Sequence, residues 1–264
     1  MKKVAILIPG LLRTFEKTSE YYLKNIIEPN INDYEIDIYL GFWNHSHKRG
    51  DGGNRNEVKK INNDKIDTIL RIYNPKKYII LDDYDDKNKI YFPEVTRNII
   101  DTIGTPKHPD GTSLIQNGLI AQTYTWFKTY SLLEGEYDYV VKSRFDIATE
   151  KISFSEFEES QFNCAGPKHQ HEQYDLADAF FASNQIVMER LMNKYHLDIV
   201  NNRIPNISEI YPNVFPEYIL KDYLLRNDIK INYLNKTGYG YFTHSLYLDK
   251  KISRQRTTPL EKPF

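Results

Sequence analysis

The segment Lys3–Ile8 (KVAILI) constrains the fold most strongly, because after its first residue it is apolar without interruption and it ends at Pro9-Gly10. Strands that are apolar at every position, rather than at alternate positions, are typical of central parallel strands covered on both faces. A helical pattern follows at Arg13–Pro29, and Tyr34–Phe42 predicts a second strand. This order of strand, helix and strand predicts the start of a parallel α/β sheet.

The rest of the chain continues this alternation. Further strands are predicted at Lys77–Leu81, Tyr137–Lys142, Phe162–Gly166, Ala179–Ala182 and Ile229–Leu234, and further helices at Glu57–Tyr73, Leu119–Leu133, Gln185–Tyr195 and Glu217–Asn227. The polar, Gly-rich segment Asn44–Asn56 predicts a loop. Since no internal repeat and no domain linker interrupts the pattern, we expect residues 1–264 to form one α/β domain, with a mainly parallel, Rossmann-like central sheet flanked by helices.

The composition excludes several classes of protein. The chain carries 35 basic and 36 acidic residues, a formal net charge of −1, and because nucleic-acid binders usually show a basic excess we expect no nucleic-acid partner. Cys164 is the only cysteine, which excludes an internal disulfide and is typical of a reducing compartment. The start of the chain is broken by Pro9, Gly10 and Arg13 and does not match a signal peptide, and no stretch approaches about 18 apolar residues. We therefore expect a cytoplasmic protein without a transmembrane segment.

Charged residues after the predicted strand Tyr137–Lys142 are the clearest candidates for chemistry. Ligands of parallel α/β sheets bind beyond the carboxyl ends of the strands, and Arg144 and Asp146 lie there, with one residue between them. Since side chains alternate faces along a strand, both are expected to point the same way. A buried charge is costly unless it is paired. The two residues therefore either form an ion pair that caps the sheet or hold a phosphorylated ligand, with Arg144 on the phosphate and Asp146 on a metal or a sugar hydroxyl.

The turn Pro9–Arg13 after the first strand is a second candidate. Gly10 lets the backbone approach a ligand closely, and the following helix offers free N–H groups to an anion. Arg13 adds a planar cation suited to phosphate. An ordinary strand–helix turn with a solvated Arg13 explains the same residues.

Several carboxylates offer further ligands or bases. Asp83 and Asp85 form a DxD pair after the third strand, which can share a divalent ion or form a solvated turn. Asp175 and Asp178 precede a short strand, where a carboxylate can serve as general base. Glu217 opens a predicted helix, where an acidic residue is favourable for the helix dipole.

Three histidines are candidate metal ligands. His244 lies among aromatic residues near the C-terminus (GYFTHSLY), where it either completes a metal site or packs in the core. His169 and His171 lie in a polar segment (KHQH), and a zinc site there lacks further nearby ligands because Cys164 is the only thiol.

Taken in order along the chain, these motifs resemble the GT-A-type glycosyltransferases of bacterial surface polysaccharide clusters and of large DNA viruses. The motifs are G-x-x-R-T-F after the opening strand, a strand ending in Trp43, a helix bearing Gln, Tyr and Lys, the stretches YDYVVKSRFD and DAFFAS, and P-E-Y-I. The resemblance covers roughly residues 3 to 235. It implies a GT-A-like domain with a nucleotide-sugar-binding half at residues 1–150, an acceptor-binding half at residues 151–250 and a tail at residues 251–264.

The resemblance also implies roles for individual residues. In such families R-x-D stands where other GT-A enzymes carry the DxD motif that coordinates Mn²⁺ or Mg²⁺ on the donor diphosphate. Asp146 matches the second Asp of that motif and Arg144 replaces the first. A divalent cation at Asp146 and a direct contact of Arg144 with the diphosphate therefore both stay open. Gly10 and Arg13 match the nucleotide-binding first loop, and Asp178 falls where inverting enzymes of this fold often keep their base.

The function that the resemblance implies is transfer of a hexosyl or pentosyl group from a nucleoside-diphosphate sugar to a saccharide or glycan acceptor, in polysaccharide biosynthesis. Its place would be the bacterial cytoplasm, or the host cytoplasm for a viral protein. Two alternatives stay open. A nucleotidyltransferase or phosphotransfer enzyme needs more carboxylates clustered around its metals. A non-catalytic carbohydrate-binding protein would not be stabilised by nucleotides.

Overall fold

The computed structural model describes residues 1–12, 15–47, 58–82, 84–85, 90–91, 119–147, 151–164, 176, 178–201, 203 and 216–234. Within these ranges the protein is an α/β structure. Its strands are β1 (Lys2–Gly10), β2 (Tyr34–Trp43), β3 (His45–His47), β4 (Val58–Lys60), β5 (Lys77–Leu81), β6 (Tyr84–Asp85), β7 (Ile90–Tyr91), β8 (Tyr139–Lys142), β9 (Phe162–Cys164), β10 (Phe181–Ser183) and β11 (Ile231–Tyr233).

The helices alternate with these strands. They are α1 (Phe15–Tyr22), α2 (Asn63–Tyr73), α3 (Ile120–Tyr130), α4 (Gln185–Glu189), α5 (Tyr195–Val200) and α6 (Pro216–Arg226). A π-helical turn at Leu23–Ile27 extends α1, a second at Arg190–Lys194 joins α4 to α5, and a 3-10 turn lies at Phe154–Glu156. None of the helices in the described residues is long and apolar enough to cross a membrane.

Seven strands form the main sheet, in the order β11-β9-β10-β8-β1-β2-β5. The opening strand is central: β1 pairs in parallel with β2 on one side and with β8 on the other. Its apolar residues are fully buried and divide between two cores, with Ala5 and Leu7 in one and Val4, Ile6 and Ile8 in the other. The predicted α/β class and the burial of the opening strand on both faces are therefore confirmed.

Helix α3 lies directly on the sheet. A Cβ added to Gly41 of β2 would overlap the side chain of Thr129 in α3, so this helix approaches the strand as closely as a glycine allows. The indole Nε1 of Trp43, at the end of β2, donates a hydrogen bond of 2.8 Å to Thr125 Oγ1 of the same helix. These contacts fix the position of α3 on the face of the sheet, next to the end of β2.

Strand β10 is the exception to the parallel arrangement. It runs antiparallel to β8, with Phe181 opposite Lys142, and antiparallel to β9. The chain therefore enters β10 at the edge where β8 leaves the sheet. This reversal brings Asp178, three residues before Phe181, beside the end of β8.

Two local predictions are wrong. The predicted loop Asn44–Asn56 begins with a strand, because His45–His47 pairs with Val58–Lys60 in an antiparallel ladder. The helix predicted from Glu57 consequently begins at Asn63, where the side chain of Asn62 accepts a hydrogen bond from the backbone N–H of Lys65 and caps the helix. The division of residues 1–264 into donor and acceptor halves stays a prediction.

Candidate functional site

Five charged side chains meet where β8 leaves the sheet, and we call them the charged cluster: Lys142, Arg144, Asp146, Asp178 and Glu217. Lys142 ends β8, Arg144 and Asp146 follow it in a turn, Asp178 precedes β10, and Glu217 lies in the first turn of α6. The charges of Asp178 and Glu217 both influence Lys142 and Arg144. The position is the carboxyl edge of the sheet, where the sequence predicted a ligand site.

The guanidinium of Arg144 is the centre of the cluster. Its Nε and Nη2 atoms each donate a hydrogen bond of 2.8 Å to one carboxylate oxygen of Asp146. Its Nη1 atom lies 3.7 Å from Oδ1 of Asp178. The Asp146 side chain is 8% exposed, whereas that of Arg144 is 29% exposed, so solvent reaches part of the arginine side chain but scarcely reaches its carboxylate partner.

The side chains of Arg144 and Asp146 point to the same side, as expected, although neither residue belongs to a strand. Alternation of the two faces continues past the end of β8, because the intervening Phe145 and the following Ile147 are buried in the core on the other side of the sheet. The ion pair, which is one of the two interpretations drawn from the sequence, is present in the structure. The pair is also joined by further charges and is open to solvent, which a simple cap of the sheet does not require.

Lys142 lies beneath this pair and is fully buried. Its Nζ atom donates a hydrogen bond to the backbone carbonyl of Asp178 and lies 4.5 Å from the ring centroid of Trp126 and 5.1 Å from that of Phe181. Burial lowers the pKa of Lys142 to about 7, against the opposing influence of the Asp178 carboxylate. No role was predicted for this lysine from the sequence.

Asp178 is held from two sides. Its Oδ2 atom accepts a hydrogen bond from the side-chain amide of Gln122 in α3, and its Oδ1 atom faces Arg144. The residue is 8% exposed. The predicted base therefore does lie in the site, with one carboxylate oxygen bound to an amide and the other oriented towards a cation.

Glu217 is the third carboxyl of the site, and the sequence analysis did not predict its environment. Its Oε2 atom is buried and has no hydrogen-bond partner among the described residues. Burial, reinforced by the charge of Asp178, raises the pKa of Glu217 to about 7. An acid in a first helical turn is ordinarily solvated, whereas this one is buried among the charges of Asp178, Arg144 and Lys142.

The other predicted site residues are distributed as follows. Gly10 ends β1 with a φ of +136°, a conformation that requires glycine, and an added Cβ would meet nothing within 4 Å. Cys164 is buried in β9. Of the remaining candidates, Asp85 lies in β6, but its side chain is outside the described part of the structure. The others lie outside the described residues: Arg13, Asp83, His169, His171, Asp175 and His244.

The cluster does not fit the divalent cation that the resemblance implies. Both carboxylate oxygens of Asp146 already accept hydrogen bonds from Arg144, and a metal bound there would lie close to the positive charges of Arg144 and Lys142. In the described part of the chain no three His, Cys, Asp or Glu side chains are grouped so as to hold a metal ion. We therefore derive no chemical step through a metal.

No protein-family model matches the chain, and no curated protein matches its sequence. Function must accordingly be argued from the charged cluster itself.

The buried carboxyl of Glu217 makes stability depend on pH. Its pKa rises from about 4.5 to about 7 on folding, so the folded protein holds the extra proton between these values and loses stability as the pH rises through them. We predict that Glu217→Gln, which is neutral at every pH, raises the free energy of unfolding by about 1 to 3 kcal/mol at about pH 8 and by much less at about pH 4.5.

Urea unfolding at the two pH values measures this difference. The matched control is Glu159→Gln, which replaces an exposed carboxylate and should change stability by no more than about 0.5 kcal/mol at either pH. A Glu217→Gln protein that is less stable than the unsubstituted protein at the higher pH would show that the carboxylate is well accommodated.

Proposed function

We propose that the protein is a glycosyltransferase that moves a sugar from a nucleoside-diphosphate sugar to a saccharide or glycan acceptor. One observation carries the proposal: a partly exposed arginine side chain, fixed by one carboxylate and flanked by two more carboxyl groups, lies at the carboxyl edge of a mostly parallel sheet. Ligands of α/β sheets bind at that edge. The residue types match those that glycosyl transfer needs.

The first need is a positive charge for the departing diphosphate. Charge that develops on a leaving group is stabilised best by fixed cations that need no rearrangement during the reaction. Asp146 holds the Arg144 guanidinium by two hydrogen bonds. Gly10 ends the neighbouring strand β1 at the same edge, whereas Arg13, which the family resemblance assigns to the donor site, lies outside the described residues.

The second need is a carboxylate that accepts the proton of the acceptor hydroxyl. Asp178 is the base that the family resemblance implies, but its carboxylate is engaged by Gln122 and oriented towards Arg144. Glu217 has a buried oxygen without a hydrogen-bond partner among the described residues and a pKa of about 7, and a base works best with a pKa near the working pH. The geometry favours Glu217 as the base, with Asp178 as the alternative.

The reaction class is tested by product analysis on a panel of nucleotide sugars with mono- and oligosaccharide acceptors. We expect at least one donor to yield a free nucleoside diphosphate, and we expect Asp146→Ala to abolish this product and weaken nucleotide binding while the circular dichroism spectrum is unchanged. Release of pyrophosphate would identify a nucleotidyltransferase instead. A protein that neither turns over nor gains thermal stability with any nucleotide sugar would contradict the proposal.

A pair of isosteric substitutions distinguishes the roles of Glu217 and Asp178. We predict that Glu217→Gln lowers kcat by about 100-fold or more, as loss of a general base does, with little change in nucleoside-diphosphate affinity. Asp178→Asn should instead weaken nucleotide binding, because the substitution removes a carboxylate beside Arg144 and thereby disturbs its position. The reverse pattern, with kcat lost only in Asp178→Asn, would make Asp178 the base.

A further inference from the structure

We infer that the site receives the donor diphosphate directly on Arg144, with no divalent cation between Asp146 and the phosphate. The ligand class is a nucleoside diphosphate. This inference rests on the proposed function and deepens it, because it names the group that takes the role of the metal.

The first step concerns the availability of Asp146. A bidentate contact of two hydrogen bonds, both 2.8 Å long, joins it to Arg144, and the Asp146 side chain is 8% exposed. A divalent cation could bind this carboxylate only by displacing the guanidinium from a mostly buried pair, which would leave the arginine without its partner. The displaced cation would also remain close to the metal, where like charges repel.

The second step concerns the other carboxyl groups. Asp178 accepts a hydrogen bond from Gln122 and faces Arg144, so its two oxygens have defined neighbours. Glu217 has a buried oxygen without a hydrogen-bond partner among the described residues, and Oδ1 of Asp178 has its ion pair with Arg144. A Mg²⁺ ion can be held by one or two carboxylates together with water and phosphate, but a cation bound to either oxygen would lie close to the positive charge of Arg144.

The third step concerns what Arg144 can still bind. A guanidinium carries five N–H donors in a fixed plane, and only Nε and Nη2 donate to Asp146. The Nη1 atom makes no hydrogen bond with the described residues, and its neighbour Asp178 lies 3.7 Å away. Because the side chain is 29% exposed, a phosphate can approach it. Asp146 thus orients the guanidinium and leaves its other N–H groups for the ligand. Arginine binds phosphate through such pairs of N–H donors.

The fourth step concerns the charge behind the guanidinium. The buried ammonium of Lys142 lies beneath the pair, against the rings of Trp126 and Phe181. A dianionic phosphate that arrives at Arg144 favours the protonated form of this lysine. This change adds positive charge to the cluster when the ligand binds, without any metal.

Isothermal titration of the full chain tests the inference directly. The probes are UDP, GDP, ADP and inorganic pyrophosphate, each titrated once in excess EDTA and once in excess Mn²⁺. We expect at least one nucleoside diphosphate to bind in EDTA with a Kd within about threefold of its value in Mn²⁺, which is well under one decade of affinity.

Arginine specificity is tested by Arg144→Lys, which keeps the charge but replaces the planar set of donors by a single ammonium that cannot make the bidentate contact with Asp146. We expect its Kd for that nucleotide to rise about tenfold or more in both solutions. The matched control is Arg226→Lys, which alters an exposed pair with Asp222 on α6 and should leave the Kd unchanged. The comparison of EDTA with Mn²⁺ on the unsubstituted protein needs no variant and stays decisive if Arg144→Lys fails to fold.

The outcomes separate the inference from the proposed function. Binding that requires Mn²⁺ and disappears in EDTA would overturn the inference and leave the glycosyltransferase proposal standing. Binding in EDTA that Arg144→Lys does not weaken would also overturn it, because the phosphate would then be held elsewhere. Failure of every nucleoside diphosphate to bind in either solution would remove the proposed function and the inference together.

Discussion

The charged side chains at the end of β8 can be buried only beside groups of opposite charge, and this constraint determines the structure of the site. Arg144 lies between the carboxylates of Asp146 and Asp178, and Lys142 donates to the backbone of Asp178 from below. Gln122 of α3 holds the same aspartate. The contacts join the end of a central strand, the entry to an antiparallel strand and a helix on the face of the sheet. Removing one charge would leave its neighbours buried and unpaired.

Burying a charged cluster of this kind costs free energy that a purely structural role would not require. Burial lowers the pKa of the Lys142 ammonium and raises that of the Glu217 carboxyl, each to about 7. Folding therefore works against the charged form of both groups. Glu217 also keeps a buried oxygen without a hydrogen-bond partner among the described residues. Strained electrostatics in a site reached by solvent are typical of a place where a ligand completes the interactions.

Local patterns predicted the elements well because their causes are local. The apolar run of β1 and the bounds of β5 follow from the residues themselves, and Arg144 and Asp146 were expected together from their spacing. The three-residue strands β3 and β4 could not be predicted, because within the described part of the chain each pairs with the other and with no further strand. Sheet order is also not local. Nothing near Asp178 indicates that β10 runs against β8, and this reversal is what brings the aspartate to Arg144. The burial of Lys142 and Glu217 depends on the same assembly.

The role of the Arg144 guanidinium as a phosphate site can be tested by a crystal structure of the protein with a bound nucleoside diphosphate, grown without added metal. We expect a phosphate oxygen within hydrogen-bond distance of Arg144, with both hydrogen bonds to Asp146 intact. A nucleotide bound away from β8, or one held by a metal that has displaced Arg144 from Asp146, would contradict it.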